Sequence, residues 1–295
     1  VCTTWSRAYS RQLRRCRYID PRSVRQLDGV PERPNGLCML PGGVLTVSSN
    51  SSVKFVAARN DSDLQALAVC RASSLAAKPF DWPLGLALTN DGLLVCNYTN
   101  SPTNLYKFAK GGSMDELATV PVLADRGLLQ CAVHQQTQRT YAIAGDANEE
   151  RNAVVILDAN LQVVATVEGG RIQDLAVHGD QVIVLTCGSD LKGSGLRLLD
   201  LDGRFLRTIA AAQSQNPQAV TASHGRAFVV DDDEDEDGAR KVVFVIDIQS
   251  GDIVQRFRVD LNGGVTAILV EGNELYIADY DDSRIVVLQL AGSEA

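Results

Sequence analysis

Three kinds of residue in this 295-residue chain have the chemistry to bind or catalyse: three histidines, several clusters of carboxylates and seven cysteines. His134, His178 and His224 could ligate zinc through neutral imidazole nitrogens. The carboxylates gather at Asp146, Glu149 and Glu150, at Asp190, in the unbroken run Asp231, Asp232, Asp233, Glu234, Asp235, Glu236, Asp237, and at Asp279, Asp281 and Asp282. Such a set attracts a basic partner or loosely gathers Ca²⁺. The plainer reading is a set of solvated loops, because blocks of like charge repel and disorder. The cysteines, at 2, 16, 38, 70, 96, 131 and 187, show no C-x-x-C spacing and no zinc pattern. Cys38, Cys96 and Cys131 sit inside apolar runs and read as small buried hydrophobes. Cys2 and Cys16 flank one short segment and could pair with each other. There is no G-x-S-x-G, no H-E-x-x-H and no phosphate-cradling glycine loop.

The elements that must position these groups repeat along the chain. Each copy opens with a short apolar strand, turns through a Gly/Asn/Asp step and enters a second apolar strand. The copies run from Pro34 to Ser48, Pro83 to Asn97, Leu129 to Ala144, Gln173 to Thr186, Gln218 to Asp231 and Thr266 to Asp279. Taking Gly36, Gly85, Gln130, Asp174, Ala219 and Ala267 as equivalent, the steps are 49, 45, 44, 45 and 48 residues. Further apolar runs supply third and fourth strands, as in Lys241 to Ile248 and Ile253 to Val259. Turns such as Asp202-Gly203 and Ser250-Gly251 suit hairpins, where glycine supplies positive φ. A steady step of this size with four strands per unit is the signature of a β-propeller. The apolar runs carry little polar alternation, so both faces of each strand must be covered.

The fold class expected is therefore all-β: a six-bladed β-propeller spanning 21–295, with blades beginning near 34, 83, 128, 172, 217 and 264. Blade six runs out of chain after three strands, at Leu290. The segment 21–33, and within it Ser23 to Gly29, is the donor of its outer strand. Closing the ring this way removes open sheet edges. In that ring the three histidines fall in turns of adjacent blades, spaced around a rim and not converging on the axis, and so read as turn residues.

Residues 1–20 form a separate basic arm. Trp5, Tyr9, Leu13 and Cys16 share one helical face, and Arg7, Arg11, Arg14 and Arg15 lie largely elsewhere. The arm reads as an amphipathic segment laid on its own domain, as a docking helix for an acidic surface, or as the tail of a mitochondrial transit peptide. The first residue is Val, which implies a targeting segment already removed. Asn50, Asn60 and Asn97 head N-x-S/T sequons, so secreted or lumenal and mitochondrial compartments both fit.

Charge narrows the partners. The net charge is −8, yet residues 1–33 hold eight arginines against three acidic residues, a balance of +5 that leaves −13 for the remainder. An acidic main domain argues against nucleic acid. No apolar run approaches the roughly 18 residues of a transmembrane span. The composition, 45% hydrophobic and 22% charged, is that of a globular chain.

Leu275-Tyr-Ile-Ala-Asp279 followed by Arg284-Ile-Val-Val resembles an NHL repeat, in which the Asp and Arg hold the blade turn. Arg33-Pro-Asn-Gly-Leu resembles the six-bladed calcium-dependent lactonases of the gluconolactonase/regucalcin family. That second resemblance implies a divalent cation at the channel mouth, held by carboxylate and asparagine where the inner strands start. Positions equivalent to Asn35 here are Leu84, Leu129, Gln173, Gln218 and Thr266, with no carboxylate among them. Leu84 stands where the family places an aspartate. Asp174 lies one residue off and, by strand alternation, should point elsewhere.

The function expected is a non-enzymatic interaction module with no cofactor. It would bind a protein partner, one with a basic surface, through an acidic face built by the second-to-third-strand loops. The arm could serve that face as a ligand, in cis or from a second copy. Asn35, Gln173, Gln218 and Thr266 are the channel-mouth binding candidates. The alternative is a divergent Ca²⁺-dependent lactonase-like enzyme using Asn35 and a rim carboxylate.

Overall fold

The apolar runs become strands because Val, Ile and Leu fill pleated surfaces that are covered on both sides. In Glu274–Asp279, for example, Leu275 and Ile277 enter one interface while Tyr276 and Ala278 enter the next. Period-two alternation is present, but both of its faces are buried, and so the sequence reads as continuously apolar.

A computed structural model describes residues 18–58, 80, 82–98, 104–109, 116–121, 126–145, 152–187, 195–209, 216–235, 238–261 and 263–291. The chain starts with β1 (Tyr18–Gln26). Blade one is β2 (Pro34–Leu40), β3 (Val44–Ser49) and β4 (Ser52–Ala57). Blade two is β5 (Pro83–Leu88), β6 (Gly92–Asn97), β7 (Asn104–Ala109) and β8 (Glu116–Pro121). Blade three is β9 (Gly127–His134), β10 (Arg139–Gly145), β11 (Asn152–Leu157) and β12 (Val163–Gly170). Blade four is β13 (Ile172–His178), β14 (Gln181–Thr186), β15 (Gly195–Asp200) and β16 (Phe205–Ile209). Blade five is β17 (Ala219–Ser223), β18 (Arg226–Asp235), β19 (Gly238–Asp247) and β20 (Ile253–Val259). Blade six is β21 (Val265–Glu271), β22 (Glu274–Asp279) and β23 (Arg284–Ala291), completed by β1.

Each blade is an antiparallel meander. The inner strands pack in a ring, β2 beside β5, then β9, β13, β17 and β21, which returns to β2. The molecule is thus a six-bladed β-propeller. Its core is six apolar clusters, one at each blade–blade interface. Full burial of a Val or Leu there contributes roughly 1.5–3 kcal/mol. Among the described residues no helix is long and apolar enough to cross a membrane.

Ring closure follows the expected route. β1 pairs antiparallel with β23, joining Val24 to Leu288 and Gln26 to Val286. Leu27 N donates to Ile285 O at 3.1 Å, and its side chain enters the cluster between blades six and one. Arg25 Nη2 donates to Glu274 Oε1 at 2.8 Å and to Ala58 O at 2.9 Å. The strand begins at Tyr18, earlier than the arm boundary at residue 20 suggested. A bulge between Ile19 and Val24 separates its two paired stretches. Cys2, Cys16 and the Trp5 stripe lie outside the described residues.

The acidic run departs from the loop reading. β18 continues through Asp235 and pairs with β19, so these two strands reach ten residues each. The register sets Asp232 opposite Lys241 and Asp233 opposite Arg240. Cross-strand pairs of opposite charge stabilise a ladder, and the ion pair of Asp232 with Lys241 offsets part of the repulsion along the run.

Candidate functional site

Five of the six inner strands carry an irregularity as they enter the channel wall, and β17 alone pairs with its neighbour without one. In β13 the partners skip from Ile172–Thr186 to Asp174–Leu185, so Gln173 is an extra residue. In β21 they skip from Val265–Asp279 to Ala267–Ala278, leaving Thr266 extra. The same shift occurs between Pro34 and Leu37, between Pro83 and Leu86, and around Leu129. The positions aligned with Asn35 are therefore bulge positions in five blades, whereas Gln218 directly precedes the unbroken ladder of β17. A bulge re-aims side chains, and that of Thr266 turns toward the neighbouring blade.

The bonds they make are structural. Thr266 Oγ1 donates to Pro34 O at 2.6 Å, tying blade six to blade one. Gln218 Oε1 accepts from Val265 N at 2.8 Å, tying blade five to six. Ser48 Oγ accepts from Gly36 N at 2.8 Å and donates to Leu84 O at 2.6 Å, tying blade one to two. Between blades two and three the approach is too close for a side chain. A Cβ on Gly85 would lie 2.6 Å from Gln130 Cα. Asn35 is buried and donates to Asn50 Oδ1 at 3.3 Å. Gln173 is half-buried at its bulge. The four channel-mouth candidates are not among the residues lining a cavity of about 290 Å³ enclosed by the inner strands.

Asp174 does line it, contrary to the alternation argument, because the bulge at Gln173 shifts the phase. Its Oδ2 accepts from Val220 N of blade five at 2.7 Å, and its Oδ1 from Leu175 N at 2.7 Å. Burial pushes this carboxyl up to about 7, against the opposing pull of those two N–H groups and of the Gln130 amide. The rest of the wall mixes apolar side chains with Gln130, Gln135, Thr221 and Glu271, and includes Cys38 and Cys131. Burial raises the Cys38 thiol to about 12, so it is an inert group and no thiolate nucleophile.

The histidines stand on the opposite face, in first-to-second-strand turns. His178 Nε2 accepts from Gly225 N of the next blade at 3.0 Å. Burial, and next the neighbouring His224, hold His178 below its ordinary value. His134 Nδ1 contacts Thr137 Oγ1 at 2.7 Å, and His224 Nδ1 contacts Ser223 Oγ at 2.6 Å. Among the described residues, no group of three or more His, Cys, Asp or Glu could hold a metal ion.

The face carrying the second-to-third-strand loops is where the acidic candidates were placed. Asp231 is fully buried, its Oδ1 accepting from Asn216 N and Asp232 N at 2.8 Å. Asp232 is ion-paired with Lys241 and accepts from Asn216 Nδ2 at 2.7 Å. The strand register places Asp233, Glu234 and Asp235 in the projecting part of the β18–β19 hairpin. Asp281 Oδ2 accepts from Gly264 N at 2.9 Å, and Asp282 pairs with Arg284 at 3.0 Å. Asp146, Glu149, Glu150 and Asp190 lie outside the described residues. Asp231 has an equivalent in every blade: Ser49, Asn97, Gly145, Thr186 and Asp279 close the other second strands. Ser49, Asn97, Thr186 and Asp279 are buried polar residues like Asp231. In blade six Arg284 Nε donates to Asp279 Oδ2 at 2.9 Å, as the turn-pinning role implied.

The same face carries side chains that sequence reasoning passed over. Trp82, 52% exposed, stacks on Tyr98 with ring centroids 6.2 Å apart. The Tyr98 ring packs against Gly127, where a Cβ would come within 2.0 Å of it. Arg33 holds its guanidinium over the Tyr280 ring at 5.5 Å, and its N–H donates to Ser283 Oγ at 3.1 Å. Asn50 joins the two groups: its carbonyl accepts from Trp82 N at 3.1 Å and its Nδ2 reaches Tyr280 Oη at 3.5 Å. Asn50, Tyr98 and Tyr280 each directly follow a second strand, in blades one, two and six. Aromatics recurring at a polar turn position were the available signal.

No protein-family model matches the chain, and no curated protein does. Solved structures do resemble it. One is the hydrazine synthase of Kuenenia stuttgartiensis, with a TM-score of 0.64 at 16% identity over 92% of this chain and 80% of that one. Another is a chain of a nidogen/laminin complex, with a TM-score of 0.54 at 13% identity over 77% of this chain and 80% of that one. At these identities the likeness concerns the propeller fold.

Proposed function

We propose that this NHL-like propeller is a non-enzymatic interaction module that binds a protein partner through its loop face. The observation carrying this reading is the use of the polar side chains where the inner strands start. Thr266, Gln218, Ser48 and Asp174 bond to the next blade, and Asn35 bonds to Asn50 within its own blade. A catalytic centre needs convergent groups aimed at one reacting atom, whereas these are directed along the ring. The loop face instead presents exposed aromatic and guanidinium groups on a rigid disc, the arrangement in which loops carry binding residues. The resemblance to a chain of a nidogen/laminin complex is in keeping with such a use of the fold.

Site-specific photo-crosslinking tests the reading. A photoreactive residue replaces Ser283 on the loop face, or Gly272 on the opposite face, in the full chain. Capture of a defined protein from Ser283 and not from Gly272 is expected. Equal capture from both faces, or capture from neither, contradicts it.

A further inference from the structure

We infer that Arg33, Tyr280, Asn50, Trp82 and Tyr98 form one binding strip for an extended peptide carrying a proline and a single carboxylate side chain. This deepens the interaction reading and rests on it.

The strip is continuous through contacts already described, running from blade six across blade one to blade two. Its two ends differ in chemistry. At one end, Trp82 is held with φ 60°, a left-handed conformation unusual for a bulky residue. Its main-chain N–H is fixed on Asn50 O, and Tyr98 N donates in turn to Trp82 O at 2.8 Å. Strain retained at an exposed aromatic points to use, because the surrounding bonds must over-determine it. The indole is backed by Tyr98, and Tyr98 by the bare backbone of Gly127. A flat, pre-ordered aromatic platform loses little entropy on binding and suits a proline ring.

At the other end, Arg33 also has a left-handed φ, 53°, and so does Ser283, whose hydroxyl holds its N–H. The Arg33 guanidinium has no carboxylate partner among the described residues, although Asp281 and Asp282 stand on the adjoining turn. Resting on the Tyr280 ring, it keeps its donors outward for two parallel bonds to a carboxylate. Exposed Asp281 and Asp282 disfavour a polyanion here, since repeated phosphates would meet them. One carboxylate meets only the guanidinium. Between the ends, the Asn50 amide supplies polar atoms for a peptide backbone.

Fluorescence polarisation with labelled synthetic peptides tests this on the full chain. Each peptide carries one proline pair and one glutamate at stepped spacings, and a matched set carries lysine instead. The glutamate set should bind at a preferred spacing and the lysine set should not. Trp82→Ala should weaken binding roughly tenfold or more, as for an interface anchor. Arg33→Glu should transfer preference to the lysine set, a gain that misfolding cannot produce. No glutamate peptide binding at any spacing, or a charge preference untouched by Arg33→Glu, overturns the proposal. So does heparin binding with the same Arg33 dependence, which would assign the strip to polyanions. If crosslinking from position 283 captures the same protein in wild type and both variants alike, the strip falls while the interaction reading stands. Capture from neither face removes the reading itself.

Discussion

The carboxylate of Asp174 accepts the main-chain N–H of Val220 at 2.7 Å, joining blade four to blade five inside the channel wall. A buried acid in this position links ring stability to pH. Burial raises its folded value to about 7, above that of the unfolded chain. Between the ordinary carboxylate range and pH 7 the folded state therefore holds a proton that the unfolded state has shed. Stability from this group falls as pH rises through that window and is flat above it. Urea midpoints against pH should show this fall in wild type and lose it in Asp174→Asn, whatever the variant's absolute stability.

Asp279 has no exposed surface, and Arg284 is its charged partner at 2.9 Å. Arg284→Ala would leave a buried carboxylate without its counter-charge and the turn to β23 unpinned. A loss of roughly 3 kcal/mol is expected, read as a lower urea midpoint with an unchanged slope. A loss below about 0.5 kcal/mol, the level of ordinary surface changes, would show that the turn holds without the pair.

The closing strand predicts a rescue. Removing 1–29 strips β1 from β23 and exposes the edge from Val286 to Ala291. The shortened chain should melt earlier and associate with concentration, as open edges do. A synthetic peptide of residues 18–29 added in trans should restore the melting temperature. Unchanged melting without the strand would contradict closure by β1.

Two glycines separate stability from binding. Gly85→Ala sets a Cβ against the backbone of Gln130 and Cys131, which cannot step aside, and should cost about 1–3 kcal/mol. Gly127→Ala sets its Cβ against the Tyr98 ring, side-chain atoms in place of backbone. It should leave the urea midpoint within about 0.5 kcal/mol and shift the emission of Trp82, measured with Trp5→Phe in the background.

The blades were legible because each repeats the same apolar grammar, and the closing strand because blade six ended one strand short. The repeat also placed Asn35, Gln173, Gln218 and Thr266 in equivalent positions. The roles of Asn35, Gln173 and Thr266 were hidden because a bulge changes side-chain direction without changing composition. Asp174 was misread for the same reason, since alternation fails one residue past a bulge. The acidic run looked like a loop because Lys241 and Arg240, its cross-strand neighbours, become visible only with the register. Trp82 and Tyr98 lie 16 positions apart, and nothing in the sequence stacks them before blade two is folded.

The central claim is that polar side chains where the inner strands start are held in structural bonds, between blades or for Asn35 within blade one, and hold no ligand. Calorimetric titration of the full chain with Ca²⁺ tests it most directly, because the lactonase-like alternative places its cation at Asn35. The account predicts no tight one-to-one binding, and the same weak isotherm for Asn35→Ala. A stoichiometric isotherm in wild type that disappears in Asn35→Ala would contradict it.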